Sequence, residues 1–179
     1  MLVGLAIGWF FHTQVPSAAP WFDEDGPIEW IQAAIVGLAA VTLVVRAWRS
    51  RSPVGLLACG AAYFLYSAVL REVPSCTSHF YSGGGCLTHT WKYGLMTAGA
   101  LLVLAYFVLQ RRHLPGIFRP RWSLTFWPLL VSAALLMAAE YGERMHMMEI
   151  EETLELFSYF YALAFGWWLL RQPPNEESL

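Results

Sequence analysis

Long apolar stretches alternate along the chain with short charged breaks. A bilayer hydrocarbon core of about 30 Å takes roughly 20 apolar residues as a helix. Stretches of that kind run over residues 28–45, 53–70, 93–109 and 124–139, and a fifth, 154–170, follows a strongly acidic segment. The N-terminal run Met1–Phe11 is apolar but short. It fits a short spanning helix, a re-entrant or interfacial helix, or a secretory h-region. No Lys or Arg precedes it, which argues against the last of these. The pattern predicts one all-α domain over residues 1–179, a polytopic transmembrane helical bundle with five spans, or six if residues 2–11 also cross.

Local signals agree with these limits. Pro53 suits a first helical turn, where its missing N–H has no partner to lose. Pro115 and Pro120 fall in a charged break where helices should stop. Trp48, Trp91, Trp122, Trp127, Trp167 and Trp168 lie near expected span ends, as interfacial aromatic belts do. Gly55, Ala58, Cys59 and Ala62 form a small-residue face that would let another helix approach closely. No internal repeat is visible, and Gln172–Leu179, with Pro173 and Pro174, reads as a short polar end.

Composition sharpens the membrane reading. The chain is 57% hydrophobic and only 13% charged, against about 25% charged in ordinary soluble domains. The distribution of charge says more than the net value of -2. Arg46, Arg49 and Arg51 separate the first two long stretches. Arg111, Arg112, Arg119 and Arg121 separate the next two, and Arg171 follows the last. If each stretch crosses once, these lie on one side, and only Arg71, Lys92 and Arg144 lie on the other. The positive-inside bias then makes the Arg-rich side and the C-terminus cytoplasmic. The segment Trp21–Glu29, with Asp23, Glu24 and Asp25, becomes extracytoplasmic, and the expected location is the cell (inner) membrane. Short Arg-rich loops are accounted for by topology, so no nucleic-acid partner is expected.

Cys76 and Cys86 lie in the expected extracytoplasmic loop, in a compartment that permits disulfides, and Gly83, Gly84 and Gly85 let the chain fold back between them. A Cys76–Cys86 disulfide is expected, with two unpaired thiols as the alternative. Cys59 reads as a small packing residue.

The remaining ionisable residues collect toward that same side. Arg71, Glu72, Glu140, Arg144, Glu151, Glu152 and Glu155 form a candidate polar cluster. Charges in or near hydrocarbon face protein, water or one another, and Glu155 lies inside an apolar stretch. Glu140 and Arg144 have i, i+4 spacing in the favourable order. The simplest role is an ion-pair and hydrogen-bond network that locks helix ends. A metal site is the first functional alternative. Glu143 and His146 form one Glu-x-x-His pair, the spacing used twice in di-iron bundles, and His79 or His89 would add a nitrogen. Such ligands suit Zn, Fe or Mn. Proton or ion handling by Glu155 and its neighbours is the second. No Gly-x-Gly-x-x-Gly, Walker, His-Glu-x-x-His or Gly-x-Ser-x-Gly pattern occurs, and no His lies mid-span in a position to ligate haem.

The sequence also resembles small multi-pass bacterial inner-membrane proteins of unassigned function, in which one helix ends in Leu-Arg-Glu and a later one opens with Glu-Glu-x-Leu-Glu. The matching residues are Leu70, Arg71 and Glu72, then Glu151, Glu152, Leu154 and Glu155. Val73, Pro74 and Ser75 depart from the aromatic and acidic run that follows in those proteins. The resemblance implies no activity, only that Arg71, Glu72, Glu151, Glu152 and Glu155 form one connected group.

Two functional expectations follow. The first is a non-enzymatic accessory or scaffold component that packs against partner transmembrane helices in a homo- or hetero-oligomer. The second is a membrane-embedded metal-dependent enzyme or a proton- or ion-coupled transporter that uses the outer Glu/His/Arg cluster.

Overall fold

The computed structural model describes residues 27–77, 85–119, 124–145 and 147–173. The N-terminal run Met1–Phe11 and the acids Asp23, Glu24 and Asp25 lie outside them. Five long helices make up the described chain: α1 (Pro27–Arg49), α2 (Pro53–Glu72), α3 (His89–Leu109), α5 (Trp127–Arg144) and α6 (Met148–Arg171). A 3-10 turn, Arg111–His113, and the short α4 (Leu114–Ile117) follow α3. No strand is present among the described residues; the nearest thing is an isolated bridge between Ser75 and Leu87.

The helices outrun the apolar stretches because caps and polar turns continue where hydropathy stops. Ser52 accepts a hydrogen bond from the Gly55 N–H and starts α2, with Pro53 in the first turn. Thr88 accepts from the Trp91 N–H and starts α3 at His89, ahead of the expected residue 93. Such side-chain caps satisfy N–H groups that have no partner within the helix. Helix α5 begins later than residue 124, at Trp127, where Pro128 fits the first turn.

Helices α1, α2 and α3 are long and apolar enough to cross a membrane, and the apolar part of α5, Trp127–Gly142, is shorter. Helix α6 carries Glu149, Glu151, Glu152 and Glu155 in its first turns and several Tyr and Trp residues beyond them.

The core is built mainly from α1, α2 and α6. Val36, Ala39, Ala40 and Leu43 of α1 meet Ala58, Ala62 and Leu65 of α2 and Tyr159, Ala162 and Phe165 of α6. Small side chains set how close the helices come. A Cβ on Gly166 of α6 would run into the Thr42 Oγ1 of α1, a hydroxyl already donating to the Ala39 carbonyl at 2.7 Å. A second cluster, Leu135 and Ala139 of α5 with Ile150 and Leu154 of α6, joins the last two helices. There Ser132 and Ser158 each donate to the other's backbone carbonyl, at 3.1 and 3.0 Å. Helix α3 is held differently. None of its residues is buried, and it leans on α2 through Tyr63 and Tyr66, whose hydroxyls donate to the Met96 and Leu95 carbonyls.

Contacts fix which helix ends lie together. The Tyr106 hydroxyl late in α3 donates to the Ala47 carbonyl of α1 at 2.7 Å, and Arg46 of α1 donates to the Gln172 carbonyl just past α6. At the opposite end, Gln32 early in α1 meets Glu152 early in α6. Neighbours in sequence therefore alternate in direction. The Cys76–Cys86 loop and the arginine-rich turn after α3 sit at opposite ends of the bundle.

Candidate functional site

The last turn of α2 brings Leu70, Arg71 and Glu72 to one end of the bundle. Successive residues on a helix point about 100° apart. Glu72 therefore turns inward and is buried, while the Arg71 side chain, 54% exposed, crosses the mouth of the bundle. Helix α6 presents Glu152, Glu155 and Tyr159 along one inward stripe, and all three are buried. Helix α1 supplies Gln32, also fully buried.

These side chains form a connected network. Arg71 pairs through Nη2 with Glu155 Oε1 and through Nε with Glu72 Oε1 at 3.4 Å. The Tyr159 hydroxyl donates to the same Glu72 oxygen at 2.6 Å. Two buried carboxylates from different helices thus share one guanidinium. Removing one member of a buried ion pair leaves an uncompensated charge, which is strongly destabilising. Lys92, at the start of α3, donates to the Val73 carbonyl and so ties that helix to the end of α2.

Glu152 is placed differently. Its carboxylate takes a 2.7 Å hydrogen bond from Gln32 Nε2, which also donates to the Glu152 backbone carbonyl at 3.0 Å. Gln32 Oε1 is buried and has no hydrogen-bond partner among the described residues. Glu152 precedes the apolar stretch 154–170 and lies outside the three helices able to cross a membrane. Burial pushes its carboxyl up from an ordinary 4.5 to about 8; Glu155, Glu29 and Glu72 add to the rise, and the Gln32 amide opposes it.

Two other expected cluster residues pair with each other. Glu140 and Arg144 make an exposed i, i+4 pair on α5 at 3.3 Å. They line a cleft of 390 Å³ together with Arg71, Leu136, Met137 and Tyr141. Glu151 sits in the first turns of α6, with its backbone against Gly142 of α5.

Of the candidate metal ligands, only His89 can be placed, exposed at the start of α3. His79, His146 and the side chain of Glu143 lie outside the described residues. Among the described residues no group of three or more His, Cys, Asp or Glu is arranged to hold a metal ion. Cys76 and Cys86 are at disulfide distance, their Cα atoms 5.0 Å apart. The segments flanking that loop are joined by Cys76 N–H to Leu87 O and Leu87 N–H to Pro74 O.

Sequence reasoning missed Gln32 and Tyr159. A lone amide among the apolar residues of 28–45 was a usable signal, since a buried polar side chain needs a partner. Tyr159 lies one helical turn beyond Glu155, a spacing that places both on one face. Nothing local in the sequence names Glu72 as the acceptor of its hydroxyl.

Comparison with family models, curated proteins and solved structures finds no match to this chain.

Proposed function

We propose that this chain is a multi-pass accessory or scaffold component of the inner membrane, crossing it five or six times and packing against partner transmembrane helices. The observation that carries this reading is α3. It is apolar beyond its first turn, yet Leu101, Leu102, Leu104, Val108 and Leu109 are all more than half exposed. The small-residue face expected to receive a partner helix is filled from within the chain, because Ala58 and Ala62 pack in the core with α1. The partner surface is therefore assigned to α3. The ion pairs of Arg71 with two buried carboxylates act as a lock that holds α2 and α6 in register.

Orientation rests on charge. The arginine-rich end faces the cytoplasm with the C-terminus, and the Cys76–Cys86 loop faces the oxidising side. The test is site-specific photo-crosslinking in native membranes. A crosslinker at Leu102 or Leu109 should give a discrete protein adduct, while one at Leu38 on the outer face of α1 gives lipid adducts. Absence of a protein adduct at every outward α3 position would show the scaffold reading to be wrong.

Glu152 supports a second reading, proton handling. Among the described residues its carboxylate has an amide partner and no ion pair, and it faces Glu29, Glu72 and Glu155. A protonated-carboxyl infrared band that titrates near neutral pH and disappears in Glu152→Gln would favour this role. A band unaffected by the substitution would exclude it.

A further inference from the structure

The two ends of the bundle carry different charge. Every acidic residue among the described residues lies toward the end that holds Arg71, and so does every ion pair. The opposite end carries Arg49 and Arg51 around the turn between α1 and α2, then Arg111, Arg112 and Arg119 around α4. All five are exposed. None of their side chains has a hydrogen bond or ion pair among the described residues. Outside those residues, Arg121 follows α4 in sequence, and Glu176 and Glu177 follow α6.

The fold gathers these five arginines at one corner. The Tyr106 hydroxyl reaches the Ala47 and Ser50 carbonyls, which draws the last turn of α3 onto the turn that carries Arg49 and Arg51. Gly116 of α4 lies against the start of α2, where a Cβ would run into the Pro53 ring. The connector after α3 is therefore pressed onto the same turn. Arg49 and Arg119 each follow a nearly bare aromatic side chain, Trp48 at 85% and Phe118 at 84% exposure.

With α1, α2 and α3 crossing the membrane as proposed above, this corner lies at headgroup level on the cytoplasmic face. An apolar side chain there dips toward hydrocarbon, while a guanidinium on its flexible stem reaches out to phosphate. A glycerophospholipid read outward from the bilayer centre has the same order. The sign of charge selects among headgroups. Guanidinium groups match phosphate oxygens in bidentate geometry. A head with an ammonium brings a further cation to a corner that has no carboxylate among the described residues to receive it. A phosphodiester head without an amine brings net negative charge, which basic groups at the membrane surface attract.

We infer that this corner binds acidic glycerophospholipid, its phosphate on Arg111, Arg112 and Arg119 with Arg49 and Arg51 beside them, and its acyl chains against Phe118 and Trp48. The inference rests on the membrane reading and is independent of any partner at α3.

The test uses the full chain in mild detergent, equilibrated with vesicles containing equal parts phosphatidylglycerol, phosphatidylethanolamine and phosphatidylcholine of the same acyl composition. Bound lipid is then identified by native mass spectrometry. Phosphatidylglycerol should be enriched about tenfold over phosphatidylcholine, the ratio that one or two basic groups supply against a net charge. Salt at about 0.5 M should remove most of that enrichment. Arg111→Gln, Arg112→Gln and Arg119→Gln together should abolish it and leave the melting temperature in lipid-free detergent unchanged. Arg119→Gln alone should lower it about threefold, a readout that stands even if the triple variant unfolds. Lys at the same three positions should retain part of it, and Arg144→Gln at the opposite end should leave it whole. Equal retention of the three lipids, preference for either amine-bearing lipid, an enrichment that survives the triple Gln variant, or an equal loss in Arg144→Gln would overturn the inference. Displacement by soluble glycerol phosphate would assign the corner to free phosphate, and retention of polyglutamate without any lipid preference would assign it to an acidic protein; either overturns the lipid assignment. A chain extracted from membranes without detergent would instead refute the membrane reading itself.

Discussion

Helices α3 and α6 show opposite ways of belonging to the same bundle. Helix α3 is among the helices apolar enough to cross a membrane, and no residue of it is buried. Helix α6, interrupted by glutamates and tyrosines, buries eleven residues. In water the more apolar helix would be driven inside. In a bilayer lipid is as apolar as leucine, so hydropathy supplies no attraction between helices. What holds α6 is close approach at Gly166, the paired serines and the polar network. Helix α3 is tied instead by side-chain hydrogen bonds to backbone carbonyls, at Tyr106 and Lys92, and by the approach of Tyr66 to Gly99.

Four substitutions or conditions sharpen or break that contrast. Arg71→Leu should have the largest effect, because it strands Glu72 and Glu155 without their shared cation. Partial solvation of Arg71 moderates the loss to about 3 kcal/mol, read as a lower unfolding temperature in detergent. A second change, Glu155→Leu, should restore part of it. If Arg71→Leu melts like the parent, the network is not what binds α6 to α2.

Cys76→Ser comes next. Loops of this length contribute about 2–3 kcal/mol when closed. The loss should appear as greater proteolysis or faster hydrogen exchange in α3, with little change in α1 and α6. A uniform loss over all helices would mean that α3 is integral to the core.

The pH response follows from Glu152. Its native carboxyl holds a proton more tightly than the unfolded chain does, so between pH 4.5 and about 8 the native state binds more protons. The contribution is therefore fully present at low pH and is lost as pH rises toward 8. Glu152→Gln should flatten the melting temperature over this window. An unchanged pH slope would remove Glu152 as its source.

The smallest effect is expected at Leu102, which is 73% exposed. Leu102→Ala should change stability by less than about 0.5 kcal/mol. The same change at Leu43, fully buried in α1, should cost about 2–4 kcal/mol. Comparable losses at the two sites would erase the distinction between the helices.

Much of this arrangement was readable before the fold was known. Continuous apolar runs mark the helices, since length and composition alone decide whether a segment dissolves in lipid. Cys76 and Cys86 are separated by a glycine-rich loop that permits their approach. Arg71 and Glu155, charges beside hydrocarbon, had to find partners somewhere. The partners themselves were not readable. The bond from Gln32 to Glu152 spans 120 residues, and periodicity carries no information over that distance. The small-residue face was visible as a face, but its occupant, α1, was not, because matching alanines occur in more than one apolar stretch. Glu140 and Arg144 looked continuous with the buried acids, because a hydropathy pattern does not distinguish the inward side of a helix end from the outward side.

The bonded Cys76–Cys86 pair also limits where α3 can travel. Between Glu72 and His89 the open chain could stretch roughly 60 Å, at about 3.5 Å per residue; the path through the sulfur bridge is about half as long. The bridge therefore shortens the tether, and the start of α3 cannot part from the end of α2 by more than that length.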